Sequence, residues 1–201
     1  MRSATRLVII DNGGANVASL KFAFERLGCD AELSSNARTV RDATHVLLPG
    51  VGAAADAMAR LKRHGLAAII PALKQPVLGI CLGMQLLFER SEEGGARCLG
   101  VLPGTVTRMS TAPDRPVPHM GWNQLVIERP SPLLEDVSSG EYAYFVHSYA
   151  LPINSSTVAS SSYGRQFSAV VEHGNFFGTQ FHPERSAATG ARILANFLRL
   201  G

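Results

Sequence analysis

The sequence predicts an α/β fold in which a mostly parallel central sheet is flanked by helices on both faces and carries added antiparallel strands. In the first half of the chain, short apolar segments alternate with helical patterns, which is the order of a parallel sheet with crossover helices. The second half is richer in short strands and turns. At 201 residues, with no stretch of linker-like composition, the chain is predicted to form a single domain spanning residues 1–201.

Four segments of the first half are predicted to be buried strands, because each is short, apolar and bounded by turn residues. They are residues 7–10, 29–33, 45–48 and 76–80.

The helical patterns of the first half lie between and after these strands. Helices are predicted at residues 17–27, 53–64, 66–70 and 84–90. Gly28 is well placed to end the first of them, and Pro71 to end the third.

The second half is predicted to consist of strands and one closing helix. The predicted strands are residues 105–109, 122–127, 141–150, 157–163, 167–173 and 176–181. Apolar residues recur at helical spacing over residues 187–200, which predicts an amphipathic helix packed on the core. The small polar residues 154–156 and 160–162 are expected in an exposed hairpin.

Composition excludes several classes of function. The net charge of +3 comes from scattered basic residues without a basic stripe, so neither nucleic-acid binding nor a membrane partner is expected. The first apolar run is too short for a signal peptide or a membrane span. Three widely spaced cysteines form no C-x-x-C pair, which favours a reducing, cytoplasmic location without a disulfide framework.

Cys81 lies on the turn between an apolar strand and a helical pattern. Its surroundings, Gly79-Ile80-Cys81-Leu82-Gly83, match the strand–turn–helix elbow that presents a nucleophile, with sulfur replacing oxygen. Glycines flank such a nucleophile because its strained backbone leaves no space for neighbouring side chains. A buried structural cysteine is the alternative interpretation of the elbow taken alone.

Two further motifs follow apolar strands and therefore belong to the same edge of the sheet, where ligands bind. Pro-Gly-Val-Gly at residues 49–52 offers backbone N–H groups, and His182-Pro183-Glu184 follows the last strand. In an extended segment His182 and Glu184 point to one side, so Glu184 can orient His182 while His182 takes the proton of Cys81. Each motif alone is also compatible with an ordinary turn, whereas together they favour an acyl-transfer site.

These three motifs, in this order, resemble those of the class I (triad) glutamine amidotransferases. Within that family the chain is most similar to the glutaminases that serve a cyclase in histidine biosynthesis. The segments that carry this closer resemblance are residues 48–52, 79–85, 118–123, 145–149 and 180–186. One departure is Gly13-Gly14-Ala15-Asn16, where the family more often has Gly-x-Gly-Asn.

The resemblance implies a glutaminase mechanism and assigns residues to it. Cys81 would attack the side-chain amide of L-glutamine, with His182 and Glu184 completing the triad. The oxyanion would be stabilised by the N–H of Leu82 and by the loop formed by Gly50, Val51 and Gly52. The residues implied to bind the substrate are Gln85, Ser148 and Tyr149.

The resemblance also implies a partner, a (β/α)8-barrel cyclase that consumes the ammonia and forms imidazole glycerol phosphate and an aminoimidazole carboxamide ribonucleotide. A nucleotide bound to the cyclase would order the loop at residues 50–52 and stimulate the glutaminase. The residues expected at the partner interface are Asn12, Asn16, Trp122, Tyr144 and Arg185. Core packing is the alternative interpretation of Trp122.

Neither cofactor nor metal is expected, because the histidines lack ligand spacing and no Walker-type loop is present. Three other functions remain open from the sequence. The chain could be the glutaminase of another ammonia-channelling complex. It could also be a partner-independent cysteine peptidase or γ-glutamyl hydrolase, which would turn over its substrate alone. A catalytically silent interaction subunit is the third.

Overall fold

The computed structural model describes residues 5–13 and 17–201, and its largest element is an eight-stranded sheet in the order β2-β1-β3-β4-β14-β13-β12-β9. The strands of this sheet are β1 (Leu7–Ile10), β2 (Ala31–Ser34), β3 (His45–Gly50), β4 (Val77–Cys81), β9 (Val126–Ile127), β12 (Thr157–Tyr163), β13 (Arg165–His173) and β14 (Phe176–Thr179). From β2 to β14 neighbouring strands are parallel, and from β14 to β9 they are antiparallel. The predicted mixed sheet is therefore present.

Two smaller sheets lie beside it in the described part of the chain. One is the antiparallel pair of β8 (His119–Gln124) and β10 (Tyr142–His147). The other has the order β11-β7-β5-β6, formed by β5 (Arg90–Ser91), β6 (Ala96–Arg97), β7 (Thr105–Arg108) and β11 (Tyr149–Ala150).

Helices cover both faces of the large sheet. They are α1 (Val17–Glu25), α2 (Ala37–Asp42), α3 (Ala54–Arg63), α4 (Leu66–Ile69), α5 (Leu82–Leu86) and α6 (Ala187–Arg199). Alternate residues of β1 enter different apolar clusters, because successive side chains of a strand point to opposite faces. Leu7 and Ile9 pack in a cluster with α1 and α6, whereas Val8 and Ile10 pack in a cluster with α2 to α5. No helix in residues 5–13 and 17–201 is both long and apolar enough to cross a membrane.

Helix α2 was not predicted, although its sequence carries a start signal. The Asn36 side chain accepts hydrogen bonds from the N–H groups of Arg38 and Thr39, which caps the first turn of the helix. With only six residues, the helix shows too little apolar periodicity to be predicted from its pattern.

The helix predicted at residues 84–90 is wrong in its extent. Helix α5 begins at Leu82 and ends at Leu86, and Arg90 already belongs to strand β5. The cause is tertiary, because the Glu89 N–H bonds to the Gly104 carbonyl and the Glu89 carbonyl accepts from the Cys98 N–H. These bonds to distant segments replace the helical ones despite good helix-forming residues.

The exposed hairpin expected at residues 154–156 and 160–162 is also wrong in part. Ser160 and Ser161 are each 1% exposed and lie within β12, and Ser156 is buried as well. Strand β12 is paired on both sides, with β13 and β9, so small hydroxyl side chains fill an interior position there. The Ser160 hydroxyl donates to the Glu128 carboxylate, which satisfies it away from water.

Candidate active site

The turn from β4 to α5 holds Cys81 in an unusual backbone conformation. Cys81 has φ 54° and ψ −113°, a combination of backbone angles that residues other than glycine rarely adopt. The flanking glycines are required sterically. A Cβ on Gly79 would lie 2.7 Å from the Gly83 carbonyl oxygen, and a Cβ on Gly83 would lie 1.8 Å from the Leu48 carbonyl oxygen. The turn at Cys81 therefore has the strained backbone and the sterically required glycines that the sequence predicted.

His182 and Glu184 lie beyond the end of β14, next to this elbow. Nδ1 of His182 is 2.8 Å from Oε1 of Glu184, whose side chain is only 2% exposed. The predicted contact is present, but the backbone is not extended, because residues Pro183–Arg185 form a 3-10 turn. The His182 N–H donates to the Tyr144 carbonyl, which fixes the start of that turn.

The surroundings of His182 favour its charged form. Burial lowers its pKa, but hydrogen bonds to Cys81 and Glu184, together with their negative charges, outweigh burial and raise the pKa to about 10. The imidazole therefore holds a proton at neutral pH.

A cavity of about 340 Å³ opens beside the sulfur of Cys81. Eight residues expected in catalysis, oxyanion stabilisation or substrate binding line it: Val51, Gly52, Cys81, Leu82, Gln85, Ser148, Tyr149 and His182. Gly50 and Glu184 lie behind this wall, around a smaller cavity that His182 also lines. The structure thus brings the predicted site residues together from four separate parts of the chain.

The side chain of Gln85 is held rigidly in the wall of this cavity. Its Nε2 donates to the Tyr149 carbonyl at 2.9 Å and to Oε1 of Gln180 at 3.0 Å. Gln85 is buried, on the helix that follows Cys81.

Four lining residues were not predicted: Glu93, Pro118, Val146 and His147. Glu93 lies in a 3-10 turn, and its Oε2 accepts from the Ala54 N–H at the start of α3, at 2.8 Å. In the sequence it belongs to Glu92-Glu93-Gly94-Gly95, which has the composition of an exposed turn. The Val146 carbonyl oxygen lies 3.7 Å from Sγ of Cys81.

The residues predicted at a partner interface have different surroundings. Trp122 is 52% exposed and packs edge-to-face on Tyr144, with ring centroids 5.8 Å apart, so the core-packing alternative for Trp122 is wrong. Arg185 is exposed. Asn12 is only 3% exposed, and Asn16 lies outside the described residues.

Comparisons with known proteins identify the family of the chain. The model of the family described as glutamine amidotransferase class-I matches residues 8–200. Imidazole glycerol phosphate synthase subunit HisH from Xylella fastidiosa (strain Temecula1) is 54% identical over 196 residues, which cover 98% of each chain. The HisH subunit from Xanthomonas euvesicatoria pv. vesicatoria is 55% identical with the same coverage. The chain belongs to the HisH family of class I glutamine amidotransferases. The predicted family and the prediction of an enzyme are thereby confirmed.

Solved structures confirm the predicted fold at much lower sequence identity. A glutamine amidotransferase from Thermotoga maritima superposes with a TM-score of 0.68 at 18% identity, covering 95% of this chain and 81% of that one. The glutaminase domain of Trypanosoma brucei CTPS, with bound acivicin, gives 0.63 at 15% identity, covering 98% and 95%.

Proposed function

We propose that this chain is the glutaminase subunit of imidazole glycerol phosphate synthase, acting in histidine biosynthesis through Cys81, His182 and Glu184. One observation carries the proposal. Cys81 stands on a strained elbow beside a cavity, next to a histidine that a buried carboxylate orients. This is the arrangement of a nucleophile, a base and an orienting group.

In the proposed reaction the sulfur of Cys81 attacks the side-chain amide carbon of L-glutamine. A tetrahedral oxyanion forms, and the N–H of Leu82 with the loop of Val51 and Gly52 stabilises it, each donor contributing on the order of 3 kcal/mol. His182 then gives its proton to the departing nitrogen, which leaves as ammonia. Water, deprotonated by His182, attacks the thioester, so that glutamate leaves and the thiol is restored.

The cavity also offers groups suited to the amino-acid end of glutamine. The Glu93 side chain is half-buried and lines the cavity, where its carboxylate would pair with the α-ammonium group of glutamine, because opposite charges attract more strongly away from bulk water. Gln85, Ser148 and Tyr149 line the same wall and would contact the rest of that end.

The ammonia would pass to the (β/α)8-barrel cyclase subunit, which binds the phosphorylated nucleotide. Support for a docking surface comes from β8 and β10, whose outer side exposes Trp122, Met120 and part of Tyr144. Tryptophan and tyrosine are enriched at the centres of protein interfaces. Three cysteines without a disulfide support a cytoplasmic location for this pair.

The test is glutamate release from L-glutamine by the pure chain, then with the cyclase, then with the cyclase and its nucleotide. We expect a weak rate that rises at least about tenfold with the liganded cyclase, corresponding to about 1.4 kcal/mol of coupling. Cys81→Ala should abolish release, and Cys98→Ala should not.

A rate indifferent to the cyclase would contradict the pairing and favour another ammonia-channelling complex. Turnover of γ-glutamyl peptides by the chain alone would favour a partner-independent hydrolase. Activity in Cys81→Ala at the wild-type level would refute the mechanism itself.

A further inference from the structure

Two buried histidines that the proposed mechanism does not use lie in contact on the inner side of the β8–β10 pair. His119 and His147 are cross-strand partners, and Nδ1 of His119 is 3.0 Å from Nε2 of His147. Both are almost fully buried. Burial lowers the pKa of His119 to about 4 and, with smaller effects of the charges of His119 and His182, that of His147 to about 3. Both rings are therefore neutral at physiological pH.

The hydrogen bonds fix the tautomer of each neutral ring. Nδ1 of His147 is 2.9 Å from the Tyr149 carbonyl oxygen, which can only accept, so this nitrogen carries the hydrogen. Nε2 of His147 must then accept, and Nδ1–H of His119 donates to it. Nε2 of His119 accepts in turn from the Asn123 amide at 3.4 Å, and that amide also donates to the Ser162 carbonyl at 2.9 Å.

This series of hydrogen bonds, from Asn123 through the two histidines to the Tyr149 carbonyl, ends at the wall of the active-site cavity. The Tyr149 carbonyl that accepts from His147 also accepts from Nε2 of Gln85. Gln85 donates as well to Gln180, whose own Nε2 lies 3.9 Å from Sγ of Cys81. The dyad thus shares one acceptor with a residue of the glutamine cavity, two hydrogen bonds away from the nucleophile.

Aromatic rings hold His119 in place. Its ring stacks on Tyr163 at 4.2 Å and on Phe145 at 5.2 Å between centroids. A phenylalanine would fill this position equally well, but it could neither donate to His147 nor accept from Asn123. His119 therefore not only fills space in this part of the core but also fixes the direction of the hydrogen bonds to its neighbours.

We propose that His119 and His147 are positioning residues of the glutaminase, which hold the cavity wall at residues 146–149 and Gln85 in the geometry that binds glutamine. This role rests on the proposed function. The same strand, β8, exposes Met120 and Trp122 on its opposite face. A protein that restrains β8 from outside therefore also restrains the wall of the cavity.

Two substitutions of His119 separate hydrogen bonding from packing. His119→Phe keeps the stacking and removes both hydrogen bonds, whereas His119→Asn places an amide N–H near the position of Nδ1. Loss of one such bond corresponds to about tenfold in binding. In His119→Phe we expect the KM for glutamine to rise about tenfold with kcat changed less than about threefold. In His119→Asn the KM should stay within about threefold of wild type. The controls are the same two substitutions at the exposed His173, with thermal midpoints measured for every variant.

Wild-type KM in both His119 variants would show that the ring only fills space, and would overturn the proposal. An equal rise of KM in both variants would indicate general damage to the fold and would overturn it as well.

Nitrogen-15 NMR of the histidine side chains in the wild-type chain tests the dyad without any substrate. At pH 6 we expect two neutral rings that carry hydrogen on Nδ1 only. Hydrogen on Nε2 in the resonances assigned to His119 or His147 would refute the dyad even in an active enzyme; His45, whose Nε2 lies 2.8 Å from the Leu200 carbonyl oxygen, is expected to carry its hydrogen there. The expected spectrum in a chain that releases no glutamate would instead refute the proposed function.

Discussion

Cys81 adopts a backbone conformation that is unfavourable for any residue with a side chain. The values φ 54° and ψ −113° mirror an ordinary extended conformation, so glycine adopts them without penalty, while a residue with a Cβ is strained by about 1–3 kcal/mol. The strain persists because β4 and α5 are packed tightly on both sides of the turn. The Cys81 sulfur is thus presented beside the cavity at the expense of local stability.

The first prediction compares two inactive variants of this residue. Cys81→Gly is expected to be more stable than Cys81→Ala by about 1 kcal/mol, because only glycine relieves the positive φ. Urea unfolding of the two proteins measures the difference, and glutamate release should be absent from both. Greater stability of the alanine variant would contradict the strained elbow.

Glu93 is predicted to act through its charge. Glu93→Gln keeps an oxygen for the Ala54 N–H but removes the negative charge, so we expect the KM for glutamine to rise at least about tenfold with a small change in kcat. Steady-state kinetics with glutamine as substrate measures both constants. The matched control is Glu92→Gln, since the Glu92 carboxylate accepts from the Arg108 N–H and does not line the cavity. Equal effects of the two substitutions would remove Glu93 from substrate binding.

At the scale of elements, the contact between α5 and β3 depends on a missing side chain. A methyl group on Gly83 would overlap the backbone of Leu48, which cannot move without shifting β3 in the centre of the sheet. Gly83 therefore determines how closely the helix after Cys81 approaches the sheet.

Gly83→Ala is accordingly predicted to destabilise the fold by about 3 kcal/mol and to lower glutaminase activity strongly. The control is Gly28→Ala in the turn after α1, where φ is +75° and no atom lies within 4 Å of an added Cβ. That change should cost only about 1 kcal/mol of backbone strain and leave kinetics unchanged. Thermal unfolding and glutamate release are measured for both variants, and similar losses in the two would contradict the close approach.

Elements with strong local signals were predictable, and those defined by distant contacts were not. Strand β12 coincides with its predicted bounds, and α6 ends one residue before the predicted end. The three motifs correctly predicted that Cys81 and His182 line one cavity and that Glu184 contacts His182, because each motif lies at the carboxyl end of a buried strand. By contrast, α5 ends early through bonds to residues 98 and 104. Glu93 and His147 enter the cavity only because the smaller sheets pack against it, which no local pattern reveals.

For the whole molecule, the buried histidines predict a loss of stability in mild acid. The pKa values of His119 and His147 are lowered on folding, and burial also lowers the pKa of His45. In the unfolded chain the three histidines take up protons near pH 6.5, whereas in the folded chain His119 does so only near pH 4 and His147 near pH 3. The free energy of unfolding therefore falls as pH decreases from about 6.5 towards 4.

The contribution of His119 to this trend is about 3 kcal/mol over the interval, at up to about 1.4 kcal/mol per pH unit. In His119→Phe the unfolding free energy should therefore fall less steeply with decreasing pH, with a slope smaller by up to about 1.4 kcal/mol per pH unit. Urea unfolding at pH 7, 6, 5 and 4.5 measures both slopes, with His173→Phe as the control. Identical slopes in wild type and His119→Phe would contradict a neutral, buried ring.

The chain contains a single tryptophan, and it is the half-exposed Trp122 of the β8–β10 surface. Its intrinsic fluorescence should therefore emit near the wavelength of a hydrated indole in the folded chain and shift little when the protein unfolds. A partner that covers this surface would remove water from the ring and move the emission to shorter wavelength. The emission wavelength of Trp122 should therefore change when a partner docks on this surface but hardly change on unfolding. Complex formation can thus be followed without any label.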